Sequence, residues 1–504
     1  MSINPNLDRA MAQPDDALAI WFEGTSHSWR EVRGFGDALE AILAAKGVSA
    51  GLPIGIVCRN NPPHAAALLS AARSDRPVVM IYTLQSLEGV ANDIRKLGLA
   101  AVVALAEDWT EQAIDAAREA GTIGISCTDR ASLNLSVIPG LDVLGASHQA
   151  REPQPMSISV LSSGTTGKPK LVEVSAQIFS RALATMSVSD VPGVPVRPNL
   201  AFTPISNISG LIQFLGSIAR GGCVYLLERF EMESWLTALD VCAPDTLIMF
   251  APMIHAFLEK EVPKERFGSL RAVFGGAGPL APEVQQAFEA RYGIPIYWGY
   301  GCTEIAGTAA SWSPALAQEF GSTKAGSAGR AIPGVELRVV DPETGAEVPR
   351  GETGLLEARV ALVGPDWIRT TDLAAIDADD FLFLRGRADQ AINRGGFKIL
   401  PENIANAAEE HTSVRDAVAF GIPDARLGQV PVVAIQPLDG ATVTEAEVIA
   451  FLRTKLAAYA VPTRVLVMAE IPRTGALKPD LPKLKSAATQ SSGLPIVATQ
   501  QGRC

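Results

Sequence analysis

The chain has 504 residues, a formal net charge of −11 and a sequence pI near 5.2, and 47% of its residues are hydrophobic. This length predicts two or three domains with ample material for their cores, whereas the acidic balance excludes a general nucleic-acid-binding surface. The N-terminus lacks the apolar segment of a secretory signal, no apolar run is long enough to predict a membrane span, and the scattered cysteines favour a cytoplasmic protein with reduced thiols.

Strands and helices alternate through the first two thirds of the chain. Near the N-terminus, "LPIGIVC", "PPHAAALLSAAR" and "PVVMIY" predict strand, helix and strand. Further along, "GLIQFLGSIARGG" predicts a helix that ends at Gly221 and Gly222, and "LRAVFGG", "LAPEVQQAFEARYG" and "IPIYWGYG" repeat the strand–helix–strand order. This alternation is typical of parallel α/β units.

The last third of the chain has a different pattern. Residues 333–384 are rich in predicted strands, and a smaller mixed unit follows Asp389. In that unit we expect a helix near residues 401–410, strands at "DAVAFGI" and "VPVVAIQP", a helix at "TEAEVIAFLRTKLAAY" and a strand at "RVLVMAEI". Residues 486–504 have the composition of a loose tail.

The run "LSSGTTGKPK" at residues 161–170 has the composition of a phosphate-binding loop. Backbone N–H groups of a glycine-rich turn can point together at a phosphate, and hydroxyl and ammonium groups add to that hold. The P-loop motif does not fit, because Gly164 and Gly167 are separated by only two residues and Pro169 follows Lys168. Composition alone leaves a polar surface loop as an equal alternative.

Four later motifs indicate which kind of phosphate-binding loop this is. They are "YGCTE" at 300–304, "TTDL" at 370–373, "GRADQAINRGGFKILPENI" at 386–404 and "PRTGALK" at 472–478. With "SSGTTGKPK", in this order and at these wide spacings, they resemble the motifs of the adenylate-forming, or AMP-binding, superfamily. That superfamily includes acyl-CoA synthetases, nonribosomal-peptide adenylation domains and firefly luciferase. The resemblance extends to about Lys485.

The resemblance implies an α/β fold with two domains. Residues 1–388 would form a large N-terminal domain of layered α/β subdomains with a distorted β-barrel, and residues 389–485 a small, mobile α+β domain, followed by a flexible tail at 486–504. The hinge would lie at Asp389. The implied chemistry has two halves: a carboxylate attacks the α-phosphate of Mg-ATP to give an acyl-adenylate, and a thiol, usually that of coenzyme A, then displaces AMP.

The resemblance also implies which residues bind the phosphates and the metal. Thr165, Thr166, Gly167 and Lys168 would surround the β- and γ-phosphates, and Thr303 would contact the α-phosphate. Glu304 would hold Mg²⁺, a cation that prefers oxygen ligands. The phosphate loop as a whole comprises Ser162, Ser163, Gly164, Thr165, Thr166, Gly167 and Lys168.

The other nucleotide contacts come from scattered positions. Tyr300 would lie against adenine, although a core aromatic is the alternative. Asp372 would bind both ribose hydroxyls with help from Arg387, and either could instead belong to an ordinary ion pair. The backbone at Gly275, Gly276 and Ala277 would approach the nucleotide and acyl group, whereas Gly395, Gly396 and Lys398 would serve thioester formation. Lys478 would be the catalytic lysine of adenylation.

The acid pocket implied by the resemblance is apolar. Malonate-type ligases resemble this chain but carry an arginine where Gly299 stands, and amino-acid-activating domains carry an aspartate near Asn207. An apolar or aromatic monocarboxylic acid is therefore the expected substrate. The predicted pocket residues are Asn207, Ser209, Phe250, Met253, Trp298, Gly299, Gly301 and Cys302.

Several positions depart from the superfamily pattern, and three functions stay open. Asn207 stands where a histidine or aromatic residue is common, Thr371 and Leu477 each replace a glycine, and Gln429 replaces a glutamate. The first function is an acid–CoA ligase using ATP, Mg²⁺ and coenzyme A. The second is an adenylating enzyme that loads a carrier protein or another acceptor, and the third is a nucleotide- or acyl-binding homologue without catalysis. No nucleic-acid or membrane-spanning role is expected, and a homodimer is compatible with each function.

Overall fold

The computed structural model describes the chain in two compact units. Its described residues are 5–83, 87–162, 170–184, 198–276, 278, 280–302, 305, 307–321, 323–361, 363–394, 397–424, 426–474 and 477–490. The first unit comprises Met1–Glu336 and Ala358–Ile368, and the second Leu337–Glu357 and Arg369–Cys504. The predicted domain limits at residues 388 and 485 stay predictions.

The strands are short, from two to eleven residues long. Along the chain up to residue 331 they are β1 (Leu18–Phe22), β2 (Thr25–Ser28), β3 (Ile54–Cys58), β4 (Val78–Tyr82), β5 (Ala101–Leu105), β6 (Ile123–Cys127), β7 (Leu135–Val137), β8 (Ser157–Ser162), β9 (Lys170–Ser175), β10 (Asn199–Ala201), β11 (Val224–Leu226), β12 (Thr246–Met249), β13 (Ala272–Gly275), β14 (Ile296–Cys302), β15 (Gly307–Ser311) and β16 (Arg330–Ala331). The later strands are β17 (Val335–Val340), β18 (Gly354–Val360), β19 (Ile368–Ile376), β20 (Leu382–Arg387), β21 (Ile392–Arg394), β22 (Phe397–Ile399), β23 (Val414–Asp424), β24 (Gly428–Pro437) and β25 (Arg464–Val467).

The helices connect these strands, and six of those described have a side-chain N-cap: Ser28, Asn61, Thr110, Asn207, Ser313 and Thr444. They are α1 (Pro5–Met11), α2 (Trp29–Ala45), α3 (Pro62–Arg73), α4 (Leu87–Lys96), α5 (Glu111–Ala120), α6 (Ala146–Gln149), α7 (Ala176–Ala184), α8 (Ile208–Gly221), α9 (Met232–Cys242), α10 (Ala251–Glu259), α11 (Pro282–Tyr292), α12 (Pro314–Phe320), α13 (Pro401–Glu409), α14 (Glu445–Lys455) and α15 (Leu481–Gln490). As predicted, α8 and α11 end before glycines in the left-handed region, Gly222 and Gly293.

A seven-stranded sheet carries the largest core of the first unit. Its strand order is β7-β6-β5-β3-β4-β8-β9, and the five central strands are parallel. Strands β3 and β5 are buried along their whole length, which explains their continuous apolar sequence. Two more sheets of this unit have the orders β10-β11-β1-β2 and β12-β13-β14-β15-β16. The α/β class predicted from the alternating pattern is confirmed.

The second unit is a mixed α+β structure. A four-stranded sheet has the order β17-β18-β19-β20, and another has the order β22-β21-β24-β23, with β25 paired to β24. Strands β23 and β24 form the long hairpin that supports α13, α14 and α15.

The chain end differs from its prediction. A loose tail from residue 486 is wrong for residues 486–490, because α15 extends to Gln490 and buries Leu484 and Ala488 completely. These two side chains lie one helical turn apart, so they pack on the same face against Phe420 and Val432. Residues 491–504 lie outside the described part of the chain.

Candidate active site

Part of the predicted site lies outside the described residues. The residues concerned are Ser163, Gly164, Thr165, Thr166, Gly167, Lys168, Ala277, Thr303, Glu304, Gly395 and Gly396. Ser162 is the last residue of β8. Lys398 lies in β22, opposite Asn393 of β21. Their assigned roles stay predictions.

Part of the predicted acid pocket lies at the carboxyl ends of three parallel strands of the first unit. Met249 of β12 pairs with Gly275 of β13, which pairs with Trp298 of β14. Phe250 directly follows β12 and is the N-cap residue of α10. Since parallel strands present their carboxyl ends at one sheet edge, residues far apart in sequence become neighbours there. Met253, one turn into α10, is fully buried in the core.

Gly275 and Gly276 are required by the packing of the protein around them, whether or not a ligand is bound. A Cβ atom at Gly275 would overlap the ring of Trp298, and one at Gly276 would lie 2.8 Å from the carbonyl oxygen of Gly299. Trp298 is in turn fixed, because its Nε1 donates to the carbonyl oxygen of Gly278 at 3.0 Å. Gly275 thus leaves room for the Trp298 ring at the end of β13, and Gly276 leaves room for the backbone of Gly299.

Strand β14 continues into an irregular antiparallel pairing with β15. Tyr300 pairs with Ala310 and Gly301 with Thr308, and the register shifts between Tyr300 and Gly301. Such a bulge redirects side chains and is common beside active sites. A Cβ atom at Gly299 would lie 2.8 Å from the carbonyl oxygen of Ala310. Substitution there would therefore disturb the sheet as well as any pocket.

Asn207 is the N-cap of α8. Its Oδ1 accepts a hydrogen bond from the N–H of Gly210 at 2.8 Å. Among the described residues no partner of its Nδ2 is seen, so this amide group can donate to a carboxylate. Gly210 has no room for a side chain, because a Cβ atom there would overlap the carbonyl group of Pro204. Ser209 is exposed at the same helix end.

Sequence reasoning missed Asn60, a residue that holds the chain leading to Asn207. Asn60 is 2% exposed and follows β3. Its Nδ2 donates to the carbonyl oxygens of Thr203 at 2.9 Å and Leu227 at 3.1 Å, and its Oδ1 accepts from the N–H of Ile205 at 2.8 Å. These three bonds join the end of β3 to the segments after β10 and β11. No sequence signal marks Asn60 beyond its place in "RNNPP".

In the second unit, Asp372 and Arg387 face each other on neighbouring strands. They are paired residues of β19 and β20, and Arg387 Nε lies 3.8 Å from Asp372 Oδ1. Arg387 also donates to Asp389 Oδ1 at 3.0 Å and to the hydroxyl of Thr371. Thr371, which replaces a glycine of the superfamily pattern, therefore supplies a hydrogen-bond acceptor to Arg387.

Glu402 lies beside this charged group. It is the second residue of α13, and a Cβ atom at Gly386 would overlap its carboxylate. Burial raises the pKa of Glu402 above its ordinary value, Arg387 lowers it, and Asp372 and Asp389 raise it further. Its Oε2 is buried without a hydrogen-bond partner. Glu402 thus adds a carboxyl group that sequence reasoning did not assign.

Lys478 ends a tight turn in the second unit. The N–H of Thr474 donates to the Lys478 carbonyl oxygen at 2.7 Å, and the N–H of Leu477 donates to the Thr474 carbonyl oxygen at 2.8 Å. Leu477 has a φ angle of 58°, in the left-handed region. This explains why the superfamily pattern has glycine at this position, since glycine adopts such angles without a steric cost.

Replacement of Leu477 by glycine should stabilise the protein. The left-handed conformation costs a non-glycine residue about 1–2 kcal/mol of stability. Glycine costs about 0.5–1 kcal/mol through the backbone entropy that it loses on folding, so the free energy of unfolding should rise by about 1 kcal/mol. Urea denaturation measures it. Leu477→Ala is the control, because alanine keeps the Cβ atom and hence the strain. A glycine variant no more stable than the alanine variant would contradict the prediction.

Glu409 is a partly buried carboxyl group at the end of α13. Its pKa is raised from 4.5 to about 7, chiefly by burial and also by nearby Asp416, whereas the N–H of Ala417 and the Arg473 guanidinium oppose the rise. The Ala417 N–H donates to Glu409 Oε1 at 3.2 Å. In the unfolded chain the carboxyl ionises near 4.5, whereas in the folded protein it stays protonated to about 7. Its ionisation therefore costs stability progressively between these two pH values, and fully above about 7.

Glu409→Gln should remove this cost. The rise in pKa corresponds to about 3 kcal/mol, so the variant's advantage in free energy of unfolding over the parent should grow by about that amount between pH 4.5 and pH 8. Denaturant titrations at a series of pH values measure it. Glu410→Gln is the control, since Glu410 is exposed and pairs with Lys455 at 2.6 Å. A pH-independent difference at Glu409 would contradict the assignment.

Over the described residues, no helix has the length and apolar character needed to cross a membrane. Within that same part of the chain, no group of three or more His, Cys, Asp and Glu side chains is arranged to hold a metal ion. Glu304, the predicted Mg²⁺ ligand, lies outside the described residues.

Comparison with sequence profiles gives two matches. The profile described as AMP-binding enzyme matches residues 7–364, and that described as AMP-binding enzyme C-terminal domain matches residues 403–478. Together they cover most of the chain, in the order expected from the motifs.

Curated relatives are similar at moderate identity. The 4-coumarate–CoA ligase-like 9 of Arabidopsis thaliana is 29% identical over 353 residues, which are 66% of this chain and 61% of that protein. The chain thus spans about six tenths of the length of the first plant relatives. The indoleacetate–CoA ligase of Aromatoleum aromaticum is 27% identical over 504 residues, 94% of this chain and 96% of that protein.

Solved structures share the fold. ATP-bound MatB from Rhodopseudomonas palustris gives a TM-score of 0.77 at 22% identity, covering 97% of this chain and 100% of that one. The amide bond synthetase McbA from Marinactinospora thermotolerans gives 0.74 at 24% identity, covering 96% and 99%. At these identities the likeness concerns the fold and leaves the substrate open.

Proposed function

Because the chain belongs to the AMP-binding enzyme family, we propose that it is an acid–CoA ligase for apolar or aromatic monocarboxylic acids. The proposal rests chiefly on the residues at the carboxyl ends of β12, β13 and β14. The predicted pocket residues there include Phe250, Trp298 and Gly299. None of the eight predicted pocket residues, all of which the structure describes, has a charged side chain that would pair with a second carboxylate or an ammonium group. Such a surface suits an acid with an apolar body.

The first half-reaction forms an acyl-adenylate. One carboxylate oxygen attacks the α-phosphorus of ATP, the bond from that phosphorus to the bridging oxygen breaks, and pyrophosphate leaves with the electron pair. The Nδ2 group of Asn207 orients the carboxylate by donating a hydrogen bond. Lys478 supplies a compact positive charge toward the reacting oxygens, a role suited to an ammonium on a long stem.

The nucleotide is held by groups of matching chemistry. Asp372 accepts hydrogen bonds from both ribose hydroxyls, since one carboxylate has several acceptor sites, and Arg387 keeps that carboxylate oriented. Tyr300 lies against adenine. Thr165 and Lys168 bind the outer phosphates, and Thr303 binds the α-phosphate. Mg²⁺, held by Glu304, would offset the charge of the phosphate oxygens.

The second half-reaction transfers the acyl group. The sulfur of coenzyme A, after loss of its proton, attacks the carbonyl carbon of the adenylate. The bond from that carbon to the phosphate oxygen breaks, and AMP leaves as the thioester forms. Gly395, Gly396 and Lys398 serve this step.

A single assay tests the proposal. Pyrophosphate release is measured over acetate, hexanoate, benzoate, indoleacetate, malonate and phenylalanine, with and without coenzyme A, and the thioester is identified by mass. Acid-dependent release with thioester from apolar acids is expected. Formation of the acyl-adenylate without thioester would indicate an acyl acceptor other than coenzyme A. No pyrophosphate release with any acid of the panel would indicate a binding protein without catalysis. A preference for malonate would overturn the substrate class.

A further inference from the structure

Arg473 contacts the turn of Lys478 and the long hairpin of the second unit at the same time. Its Nη1 donates to the carbonyl oxygen of Leu477 at 2.8 Å. Its Nη2 forms an ion pair with Asp416 of β23. Both charged side chains are only 23% exposed, so water screens the pair less than it would screen a surface pair.

The bond to the Leu477 carbonyl has a direct geometric consequence. This carbonyl belongs to the peptide unit that joins Leu477 to Lys478, and a peptide unit is planar. Holding its oxygen therefore fixes the direction in which the Lys478 Cα atom leaves the turn. A donor at this carbonyl also keeps Leu477 in its left-handed conformation, which an unsupported leucine would leave.

The other end of the contact is rigid. Asp416 lies in β23 opposite Gln436 of β24, within a hairpin of 11 and 10 residues. The turn is closed independently, because the N–H of Asp480 donates to the Pro472 carbonyl oxygen at 2.8 Å. Arg473 thus connects β23, through Asp416, to the peptide unit that precedes Lys478.

Only arginine suits both contacts. Its planar guanidinium carries donors on separate nitrogens in a fixed fork, so one side chain can serve the Leu477 carbonyl and the Asp416 carboxylate together. A lysine has a single ammonium nitrogen, which can donate to one of the two acceptors with good geometry or to both with poor geometry. The geometry therefore depends on the identity of the side chain as well as on its charge.

We infer that Arg473 is a positioning residue for adenylation, which ties the peptide unit before Lys478 to Asp416 and so directs the lysine side chain. The inference rests on the proposed role of Lys478 in the first half-reaction. Arg473 does not contact substrate in this scheme, and it acts only through Lys478.

The experiment measures both half-reactions in Arg473→Ala, Arg473→Lys, Asp416→Asn and Lys478→Ala proteins. Arg473→Ala should slow acid-dependent pyrophosphate release by about 10–10²-fold, the loss typical of a misplaced catalytic group, and Arg473→Lys should be intermediate. Thioester formation from a supplied acyl-adenylate should change by less than about 2-fold. Arg464→Ala is the matched control, because Arg464 Nη1 also donates to a backbone carbonyl, that of Ala488 at 2.7 Å, away from the lysine turn.

The double variant separates positioning from a general structural role. If Arg473 acts only through Lys478, then adding Arg473→Ala to Lys478→Ala should slow adenylation no further, whereas independent effects would multiply. Multiplying effects, equal loss of both half-reactions, or full adenylation activity in Arg473→Ala would each overturn the inference. Full activity in Lys478→Ala would instead overturn the proposed role of the lysine.

Discussion

Replacement of Lys478 by alanine is expected to slow acyl-adenylate formation by about 10²–10³-fold, the usual loss when one preorganised charge donor is removed from a reacting centre. The reason is that negative charge gathers on the oxygens around the α-phosphorus as pyrophosphate leaves. The variant should still convert a supplied acyl-adenylate and coenzyme A to thioester, because the family resemblance implies that this lysine serves only the first half-reaction.

Lys483→Ala is the matched control for this prediction. Lys483 lies five positions later and its exposed ammonium is 3.2 Å from Asp480. Its removal should leave both rates unchanged, because an exposed pair of this kind contributes little. Should Lys478→Ala lose both half-reactions to the same extent, the assignment of the lysine to adenylation alone would have to be abandoned.

Replacement of Asn60 by alanine should destabilise the protein by about 3 kcal/mol or more. The change removes three hydrogen bonds and leaves the N–H of Ile205 and the carbonyl oxygens of Thr203 and Leu227 in a buried place. Each buried polar group left without a partner costs about 1–3 kcal/mol. Urea denaturation followed by circular dichroism measures the loss, and the midpoint should fall without a change in its slope.

The neighbouring Asn61 provides the control. It is fully buried like Asn60, but its side chain makes one hydrogen bond, in which Oδ1 accepts from the N–H of His64 at 3.0 Å as the cap of α3. Its Nδ2 is buried without a partner, so its removal also relieves a cost. Asn61→Ala should therefore lose about 1 kcal/mol. Equal losses in free energy of unfolding at the two positions would show that the three long-range hydrogen bonds of Asn60 contribute no more than the single local bond of Asn61.

Predictions from local pattern agree with the structure where the pattern is long and its ends are marked. The helix at 208–221 has an asparagine before it and a glycine after it, and both act as caps. Strands β3 and β4 of the seven-stranded sheet follow from short apolar runs. The end of the chain was harder to predict, because the polar composition after Ser486 hides Ala488, which α15 buries together with Leu484.

The candidate site divides in the same way. Its motif residues could be predicted from the sequence, because the motifs for phosphate, metal and ribose binding contain particular side chains and follow one another in a fixed order along the chain. The positions of Gly275 and Trp298 side by side, and of Asp372 beside Arg387, come from strand register. Register depends on pairing between segments that the sequence does not mark as neighbours.

The sequence by itself thus determined the α/β class and the family resemblance, since both depend on local spacing and side-chain identity, and it predicted the residue types of the chemistry. Only the tertiary structure decided which residues hold those groups in place. Asn60 reaches across 143 and 167 residues to two backbone carbonyls, and Arg473 reaches across 57 residues to Asp416. Such bonds form where strand ends and turns meet in space, and directional hydrogen bonds of this kind have no periodic signal in the chain.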